Sequence, residues 1–384
     1  MAAVAADDGE SECGMTQVRV GAVVLAYGEE ERLAECLGAL LASEVHRIIA
    51  VDNGFTSAEP LPVDPRITWL HPGVNTGFTG GCNLGAAHVA ADCDVIVLVN
   101  SDLVVEPAAV TALTEVLADP DVGIASGLVV LYDRPEVVNS AGNPVHYSMF
   151  TWAGGLGDPL PADPHPFPVT VGSGALLAVR RADWQALGGL NDLLFAYGED
   201  TELSLRTWLG GQQVVCVPGA VGRHDYVFNG TPGKLYLVER NRLVNVATIF
   251  ERSTLMTLAP ALVLVEAAVL AAAAAGGWWS QKTRGYTWLW QHRREIRARR
   301  ELIQSTRALG DAELFTHLVD QITPSAETGQ SVPGWFNTIL AGYGRFARTR
   351  IRTRAWQTAK AYPRTAGVGT APAAGGRVRS SAAN

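Results

Sequence analysis

The stretch Asp94–Glu106, which reads DVIVLVNSDLVVE, decides the fold. Val95–Val99 form a continuous apolar run, which predicts a central strand covered by helices on both faces. The run ends at Asn100, Ser101 and Asp102. Ligands of an open α/β sheet bind at the carboxyl ends of its central strands, and these oxygen atoms suit a divalent cation with the phosphates that it carries. The same three residues also suit a turn that caps the next helix.

Strands and helices alternate before this stretch. Val18–Ala26 predicts a first strand, which we expect the dipeptide Tyr27-Gly28 to break, and Glu29–Leu41 has helical spacing of its leucines. Arg47–Val51 predicts a second strand, which ends at Asp52. Such alternation indicates a parallel sheet, so two carboxylates are expected at strand ends along one edge.

A glycine-rich stretch, Asn75–Gly85 (NTGFTGGCNLG), leads into a helix predicted to reach Ala91. Gly77, Gly80 and Gly81 lie where this helix opens, and bare backbone amides at a helix N-terminus attract phosphate. The stretch matches neither GxGxxG nor a Walker A loop. The glycines also fit a purely structural role, in which they allow the helix to pack closely on a strand.

The remaining elements are less distinctive. We expect a strand at Ile67–Leu70, a helix from Pro107, strands at Val122–Val130, Val169–Val179 (interrupted by Gly172–Gly174) and Gln213–Val217, and a loop over the sheet edge at 132–168. His224 follows the last of these strands. A lone histidine is more often a structural residue than a ligand, so both roles stay open.

A second group of charged residues opens a predicted helix. The helix is expected to begin near Gly198, which places Glu199 and Asp200 in its first turn. Acids in that turn suit the helix dipole, but a carboxylate beside an apolar wall is also the setting that makes a general base. Glu202 and Arg206 are four residues apart in the order that favours a structural ion pair.

These motifs together resemble the glycosyltransferase family 2 enzymes of GT-A fold, in particular the bacterial rhamnosyltransferase-like members. The matching pieces are VGAVVLAY, VDNGF, NTGFTGGCNLG, LVNSD as the DxD-type motif, GSGALLAVRR, GGLNDLLFAYGEDTELSLR as the ED-type motif, and His224 with Arg240-Asn241 downstream. Six of them in family order are strong evidence, and the resemblance covers Val18–Phe250. It implies an α/β fold of GT-A type, with a mostly parallel central sheet flanked by helices and a C-terminal helical appendage.

The resemblance also implies roles for individual residues. Asp52 would bind the nucleotide base, Asn83 would lie along the nucleotide, Asp102 and His224 would hold Mn2+ or Mg2+, and Asp200 would be the base that deprotonates the acceptor hydroxyl. Further donor-binding residues would be Tyr27, Asn75, Gly77, Gly80, Asn100 and Ser101, and residues at the acceptor or in support would be Gly174, Glu199, Glu202, Arg206 and Arg240. The chain departs from the family pattern where Asn100 replaces the first carboxylate of DxD and where Glu202 replaces the usual second Asp of EDxD.

The expected activity is transfer of a sugar from a nucleotide diphosphate sugar to a hydroxyl of a lipid-linked or polysaccharide acceptor in cell-envelope glycan synthesis. One base without a nucleophilic carboxylate implies inversion, because retaining hydrolases use two carboxyl groups about 5 Å apart. A sugar-nucleotide pyrophosphorylase is a rival, but it expects a glycine-rich loop with Arg and Lys where this chain has YGEEER. The other rival is an inactive protein that binds sugar nucleotides or glycans.

The segment Leu255–Trp279 is long enough to span a bilayer, but Pro260 and Glu266 interrupt it. Aromatic residues and an arginine-rich segment follow it, which suits an anionic membrane surface. A bilayer span and a soluble helical hairpin packed on the catalytic domain are the alternatives. We expect a cytoplasmic enzyme that is peripheral on the inner face of the cell membrane.

Composition bounds the remaining possibilities. The 384 residues carry a net charge of -8, with an acidic first part and a basic last part. The five cysteines are scattered without a CxxC pair, which argues against a disulfide framework, and the N-terminus lacks a signal-peptide pattern. No nucleic-acid-binding module accompanies the basic run 345–354, so no nucleic-acid partner is expected. The expected divisions are a disordered acidic tail at 1–17, the catalytic domain at 18–250, a helical and membrane-associated region at 251–320, and a basic, largely flexible tail at 321–384.

Overall fold

The structure is a computed structural model, and it describes residues 18–225, 232–329 and 331–351. The predictions of a disordered tail at 1–17 and of flexibility at 352–384 lie outside the described residues. Cys36, Cys82, Cys93 and Cys216 are buried free thiols, in agreement with the absence of a disulfide framework from this part of the chain.

One ten-stranded sheet forms the centre of the molecule. Its strands are β1 (Val20–Glu29), β2 (Arg47–Thr56), β3 (Ile67–Leu70), β4 (Val95–Asn100), β5 (Leu103–Val105), β6 (Val122–Leu131), β7 (Arg134–Ser140), β8 (Phe167–Pro168), β9 (Leu176–Arg180) and β10 (Gln213–His224). The order is β3-β2-β1-β4-β9-β6-β10-β5, with β7 paired to β6 and β8 to β10. Strands β3-β2-β1-β4 run parallel, whereas β9 is antiparallel to both of its neighbours, so the predicted α/β fold is confirmed with a mixed sheet.

Eleven helices are present in the described residues. They are α1 (Leu33–Leu41), α2 (Gly77–Val89), α3 (Ala109–Val116), α4 (Arg181–Leu187), α5 (Glu199–Leu209), α6 (Pro232–Ile249), α7 (Arg252–Ala275), α8 (Trp279–Gln291), α9 (Arg293–Thr306), α10 (Asp311–Leu314) and α11 (Gly334–Arg350). Helix α2 covers one face of the sheet, and α1 and α3 cover the other.

Strand β4 confirms the interpretation of its continuous apolar run. Ile96 and Leu98 face the apolar core that contains α2. Val95, Val97 and Val99 face the opposite core, which contains α1 and α3. Because alternate side chains of a strand point to opposite faces, burial on both faces requires apolar residues at every position.

The predicted break at Tyr27-Gly28 and the helix start at Glu29 are wrong. Strand β1 continues to Glu29 because its end pairs with an extended β2, in the register Gly28↔Phe55 and Glu29↔Thr56. The register shifts between Ala26 and Gly28, and Gly28 has φ +79°. The dipeptide therefore forms a bulge within the strand, and α1 begins only at Leu33.

Two further predictions need correction. The region 132–168 is not only a loop, because Arg134–Ser140 pairs antiparallel with β6. Strand β10 runs to His224 instead of ending at Val217, and its register with β6 shifts between Val217 and Val221. The intervening segment contains Pro218, which has no amide to donate and is tolerated in a strand at such a bulge.

The C-terminal helices pack on the catalytic region through buried charges. One cluster contains Glu239 and Arg242 of α6, Glu266 of α7 and Lys282 of α8. Arg242 lies 2.9 Å from Glu239. Lys282 lies 2.8 Å from Glu239 and 2.5 Å from Glu266. Within the predicted tail at 321–384, α11 is a packed helix, with Leu340 fully buried.

Candidate active site

The first part of the site is the pair Asp102 and His224. Strand β5 pairs antiparallel with the end of β10, in a register that places Leu103 opposite His224. The amide of Asp225 also donates to the carbonyl of Asp102 at 3.0 Å. This pairing brings His224 Nε2 to 3.1 Å from Asp102 Oδ1, so two residues 122 positions apart form one site.

A second contact orients the histidine. Nδ1 of His224 lies 2.9 Å from Asn139 Oδ1 in a buried position. If Nδ1–H donates to that oxygen, the Nε2 lone pair faces the Asp102 carboxylate, and either a proton on Nε2 or a cation between the two acceptors satisfies them. Sequence analysis missed Asn139 because its strand was predicted as a loop.

The Asp102–His224 pair fits a divalent metal by its chemistry, since a carboxylate oxygen and an imidazole nitrogen are both ordinary ligands of Mn2+. Among the described residues, no group of three or more His, Cys, Asp and Glu side chains is arranged to hold a metal. The described residues therefore offer Asp102 and His224 as candidate ligands here, and a bound molecule or water can fill further coordination positions.

A buried carboxylate, Glu30, lies beside this pair and was not predicted. Its Oε1 accepts hydrogen bonds of 2.8 Å from both the Tyr27 amide and the Ser101 hydroxyl. Burial raises the pKa of Glu30, against the lowering effect of those two bonds. Ser101 therefore holds Glu30, and the side chain of Tyr27 is exposed.

Asp52 follows the buried part of β2 and points to the neighbouring strand. Its Oδ1 accepts from the Gly54 amide at 3.0 Å, and its Oδ2 lies 3.0 Å from His71 Nδ1. Burial alone would raise the pKa of Asp52, but these bonds and that from the Phe55 amide lower it. The rings of Phe55, Trp69 and His71 stack beside it, which gives a flat apolar surface next to an ionised carboxylate.

The glycine-rich stretch is held by Asn53, another residue that was missed. The Asn53 side chain accepts from the Thr76 amide at 2.8 Å and donates to Asn75 Oδ1 at 2.9 Å. Gly77 has φ +74°, and a Cβ there would lie 2.4 Å from the carbonyl oxygen of Phe195. The stretch is therefore fixed against the loop that precedes α5.

Two glycines of α2 have a packing role. A Cβ at Gly81 would lie 2.2 Å from Leu25, and one at Gly85 would lie 2.4 Å from Val23, so α2 rests directly on β1. A Cβ at Gly80 would meet Thr76 at 3.0 Å. The structural alternative therefore holds for Gly81 and Gly85.

Asn83 is also used within the protein. Its Nδ2 donates to the Leu190 carbonyl at 3.0 Å and to Asp192 at 2.7 Å, and its Oδ1 accepts from the Leu190 amide at 2.9 Å. These contacts connect α2 to the loop after α4. The side chain of Asn83 is thus bonded within the protein, and its contacts do not support the predicted role along the nucleotide.

Asp200 lies at the start of α5, as predicted. Its Oδ1 accepts from the Thr201 amide at 2.6 Å, and the Gly174 backbone packs against it, since a Cβ at Gly174 would lie 3.5 Å from Asp200 Cβ. Burial raises the pKa of Asp200 despite the bond from Thr201. Burial, with repulsion from Asp200, raises the pKa of Glu199 to about 8.

Asp102 and Asp200 are brought to the same part of the sheet by β4 and the segment before β9. The amide of Asn100, at the end of β4, donates to the Ala175 carbonyl at 3.0 Å. Gly174, the preceding residue, contacts Asp200. Asp102 therefore follows β4 by two residues, and Asp200 contacts the segment that is hydrogen-bonded to the end of β4.

The loop before α5 is strained and is held by α6. Phe195 and Tyr197 have positive φ, at +65° and +71°. Asn241 donates to the carbonyls of Leu194 (2.9 Å), Ala196 (2.8 Å) and Tyr197 (2.6 Å), and Arg240 donates to that of Leu194 (2.6 Å). These bonds fix the approach to Asp200, so Arg240 acts on backbone carbonyls.

Glu202 and Arg206 form the predicted ion pair, at 2.7 Å. The pair is buried, and Arg299 on α9 joins it at 2.7 Å from Glu202. Arg206 also donates to the carbonyls of Leu187 and Gly189 at 2.6 and 2.7 Å. This cluster is structural, and it connects the C-terminal helices to α5.

The site thus combines carboxylates at strand ends of an α/β sheet, a carboxylate–imidazole pair and a raised-pKa acid at a helix start. Residues 22–180 match the model of the Glycosyl transferase family 2, and this match supports a glycosyltransferase. The search of curated proteins found no match.

Three solved structures are similar to part of this chain. The structure of GalNAc-T7 with UDP, GalNAc and Mn2+ has 14% identity and a TM-score of 0.46, and the match covers 60% of this chain and 50% of that one. The mannosyltransferase PcManGT from Pyrobaculum calidifontis, in complex with GDP-Man and Mn2+, has 17% identity and a TM-score of 0.43. That match covers 74% of this chain and 85% of PcManGT. S. aureus TarS has 13% identity and a TM-score of 0.42, and the match covers 64% of this chain and 43% of that one. The chain thus spans about half the length of GalNAc-T7.

Proposed function

We propose that the protein is an inverting, metal-dependent glycosyltransferase that uses a nucleotide diphosphate sugar. The observation that carries the proposal is the arrangement around the end of β4. The Asp102–His224 pair lies on one side of it, and Asp200 contacts the segment paired with it. The family match of residues 22–180 supports the same activity.

The residues divide the chemistry between them. Asp102 and His224 would hold Mn2+ or Mg2+, which neutralises the charge of the departing nucleotide diphosphate. Asp52, with the adjacent aromatic stack, would bind the nucleotide base. Asp200 would take the proton of the acceptor hydroxyl, and its raised pKa makes it a better proton acceptor than an ordinary aspartate. A single base gives one displacement and therefore inversion.

Two matched variants test the donor assignments. Asp102→Ala should abolish metal-dependent binding of nucleotide sugars, whereas Asp52→Ala should weaken donor binding and leave its metal dependence intact. A thermal-shift panel of nucleotide sugars with and without Mn2+ measures both, because a ligand at 100-fold its Kd stabilises the native state by about 2.7 kcal/mol. Normal donor binding by Asp102→Ala would overturn the metal site. Donor binding without transfer would favour the inactive binding protein.

The proposed acceptor is lipid-linked or a polysaccharide of the cell envelope, with a hexosyl or rhamnosyl group as the transferred sugar. The proposed location is the cytoplasmic face of the membrane, and the outer face of α7 supports contact with a membrane surface. This helix is long and apolar enough to cross a bilayer by length and composition, and 22% of its most apolar window is buried. Its exposed residues recur with helical spacing and are apolar over four turns, namely Met256, Ala259, Pro260, Val263, Leu264, Ala267, Ala268, Ala271 and Ala272.

The position of Glu266 favours a helix that lies on the membrane over one that spans it. Glu266 is on the inner side of α7, where it pairs with Arg242 and Lys282 at 2.5 Å. Separating these charges to insert α7 would be costly. Trp335, Ile339 and Phe346 of α11 are also exposed apolar side chains.

Vesicle flotation tests this position. The wild-type protein should float with anionic vesicles at low salt and less at high salt, because headgroup attraction is screened within about 8 Å at physiological ionic strength. The double change Val263→Glu, Leu264→Glu should abolish flotation. Val63→Glu, at a fully exposed valine of the catalytic domain, is the control and should not. Failure of the wild-type protein to float would overturn the proposal.

A further inference from the structure

A groove of about 600 Å³ lies between the loop before α5 and the helices α6 and α8. It is lined by Asp192, Leu193, Phe195, Gly233, Tyr236, Leu237, Arg240, Arg284, Trp288 and His292. One wall thus belongs to the loop that leads into Asp200, and the other belongs to the C-terminal appendage. The roles proposed above for donor, metal and base leave this groove without a ligand.

The walls combine aromatic rings with arginine. The ring of Trp288 stacks on that of His292 at 4.0 Å between centroids, and the Arg240 guanidinium lies 4.1 Å from the Trp288 centroid. On the α6 side, Arg284 lies 4.7 Å from the centroid of Tyr236. His292 and Arg240 thus cover the ring of Trp288, whereas the ring of Phe195, which also lines the groove, is exposed and suits the apolar C–H face of a sugar ring.

Arg284 gives the groove a cation that is available to a ligand. In the part of the chain that the structure describes, Arg284 pairs with no carboxylate. Asp192, the acidic residue of the lining, is held by Asn83 at 2.7 Å. Arg240 is already bonded to the carbonyls of Leu193 and Leu194, at 3.2 and 2.6 Å. A planar guanidinium beside aromatic faces favours an oxyanion such as phosphate or carboxylate.

We propose that this groove is an acceptor subsite that binds an anionic saccharide, in which a sugar ring packs against the exposed ring of Phe195 and an attached phosphate or carboxylate pairs with Arg284. This inference rests on the proposed glycosyltransferase function for its role as the acceptor subsite. The connection with the reaction is direct, because Arg240 lies under Trp288 and bonds the backbone of the loop that precedes Asp200. Occupation of the groove would therefore stiffen the approach to the base.

Ligand-observed NMR with three soluble probes tests the groove on the full chain. Glucose 1-phosphate, glucuronic acid and methyl glucoside present a phosphate, a carboxylate and no charge on the same ring. We expect the first two, or whichever oxyanion the groove prefers, to bind more tightly than methyl glucoside. Arg284→Gln should weaken binding of the anionic probe at least about tenfold and leave methyl glucoside unchanged, as loss of one charge-assisted contact predicts.

Arg293→Gln is the matched control. Like Arg284, Arg293 is an exposed arginine over an aromatic ring, 4.7 Å from the centroid of Trp290, but it does not line the groove. It should leave all three affinities unchanged. Equal binding of charged and neutral probes, equal effects of the two arginine variants, or the absence of binding of all three probes would each overturn the inference.

Donor binding separates this inference from the proposed function. Metal-dependent binding of nucleotide sugars should be the same in Arg284→Gln as in the wild-type protein. If the wild-type protein binds donor but no anionic probe, the acceptor subsite is wrong and the proposed function stands. If it binds an anionic probe through Arg284 but no donor with metal, the groove is a saccharide site and the proposed function is wrong.

Discussion

Buried carboxylates behave differently in the catalytic region and at the junction with the C-terminal helices. Burial raises the pKa of Glu30, Glu199 and Asp200, which have no cationic partner among the described residues. At the junction, burial would also raise the pKa of Glu202 and Glu239, but neighbouring arginine and lysine side chains lower it. Burial is thus common to both regions, and the presence of a cationic partner decides whether the pKa of the buried acid is raised or lowered.

The difference separates two uses of a buried charge. An acid that is desolvated without a cation stays close to the proton affinity needed for catalysis. An acid that is buried with one or two cations is fixed as an anion and holds helices together. Glu202 and Asp200 are two positions apart in the same helix, and they fall on opposite sides of this division.

The largest expected effect is at Asp200, one of the buried acids without a cationic partner in the described residues. Asp200→Asn keeps the shape of the side chain and removes the proton acceptor, so transfer should fall by about 10²–10⁴. Donor and metal binding should remain close to normal. Rates of sugar transfer and donor affinities measure the two properties, and Glu199→Gln is the matched variant, which should cost less. A more damaging Glu199→Gln would exchange the roles of these two acids.

Removal of a cation from the buried ion-pair cluster at the junction should lower the stability of the protein instead. Arg242→Met leaves Glu239 and Glu266 with Lys282 as their remaining cation in this cluster. We expect a loss of about 3–5 kcal/mol in the free energy of unfolding, toward the lower end because Lys282 remains. Urea denaturation measures it. The half-buried pair Arg47–Asp92 near the surface provides the control, since Arg47→Met should cost no more than about 1 kcal/mol.

A smaller effect is expected at the contact that orients His224. Asn139→Ala removes the hydrogen bond to Nδ1 and leaves both proposed metal ligands in place. Loss of such an outer contact typically weakens metal binding about 10–100-fold. Titration of donor binding against Mn2+ measures the shift. Unchanged dependence on Mn2+ would show that Asn139 does not act through the metal.

The last prediction concerns how the free energy of unfolding depends on pH through Glu199. Its pKa rises from the ordinary 4.5 to about 8 in the native state, so the native state holds more protons than the unfolded chain in that window. The free energy of unfolding should therefore fall as pH rises through it, by at most about 1.4 kcal/mol per pH unit for one proton. Glu199→Gln should flatten this slope. A slope unchanged in the variant would assign the proton to another group.

Local patterns predicted the elements that local physics determines. The apolar run of β4, the start of α5 near Gly198 and the Glu202–Arg206 pair each depend on residues within a few positions of one another. The resemblance to a known family placed Asp102 beside His224, although 122 positions separate them.

The residues that were missed depend on long-range contacts. Glu30 was assigned to the first turn of the helix predicted at Glu29–Leu41, and it is buried because β1 continues past Gly28. Asn139 comes from a region that was predicted as a loop, and Asn241 acts on a loop 44–47 residues earlier in the chain. No periodicity in the sequence encodes such contacts, because each is set by the packing of separate elements.

The bond between Arg299 and Glu202 bears on how this protein can be divided. Arg299 belongs to the appendage, and it lies 2.7 Å from a carboxylate buried in the helix that begins with the proposed base. A fragment cut at the predicted boundary near residue 250 would expose that carboxylate to loss of one of its two cations. The appendage is therefore expected to be inseparable from the enzyme in expression trials, and chimaeras that exchange appendages between such proteins would have to exchange the residues at positions 202 and 299 together.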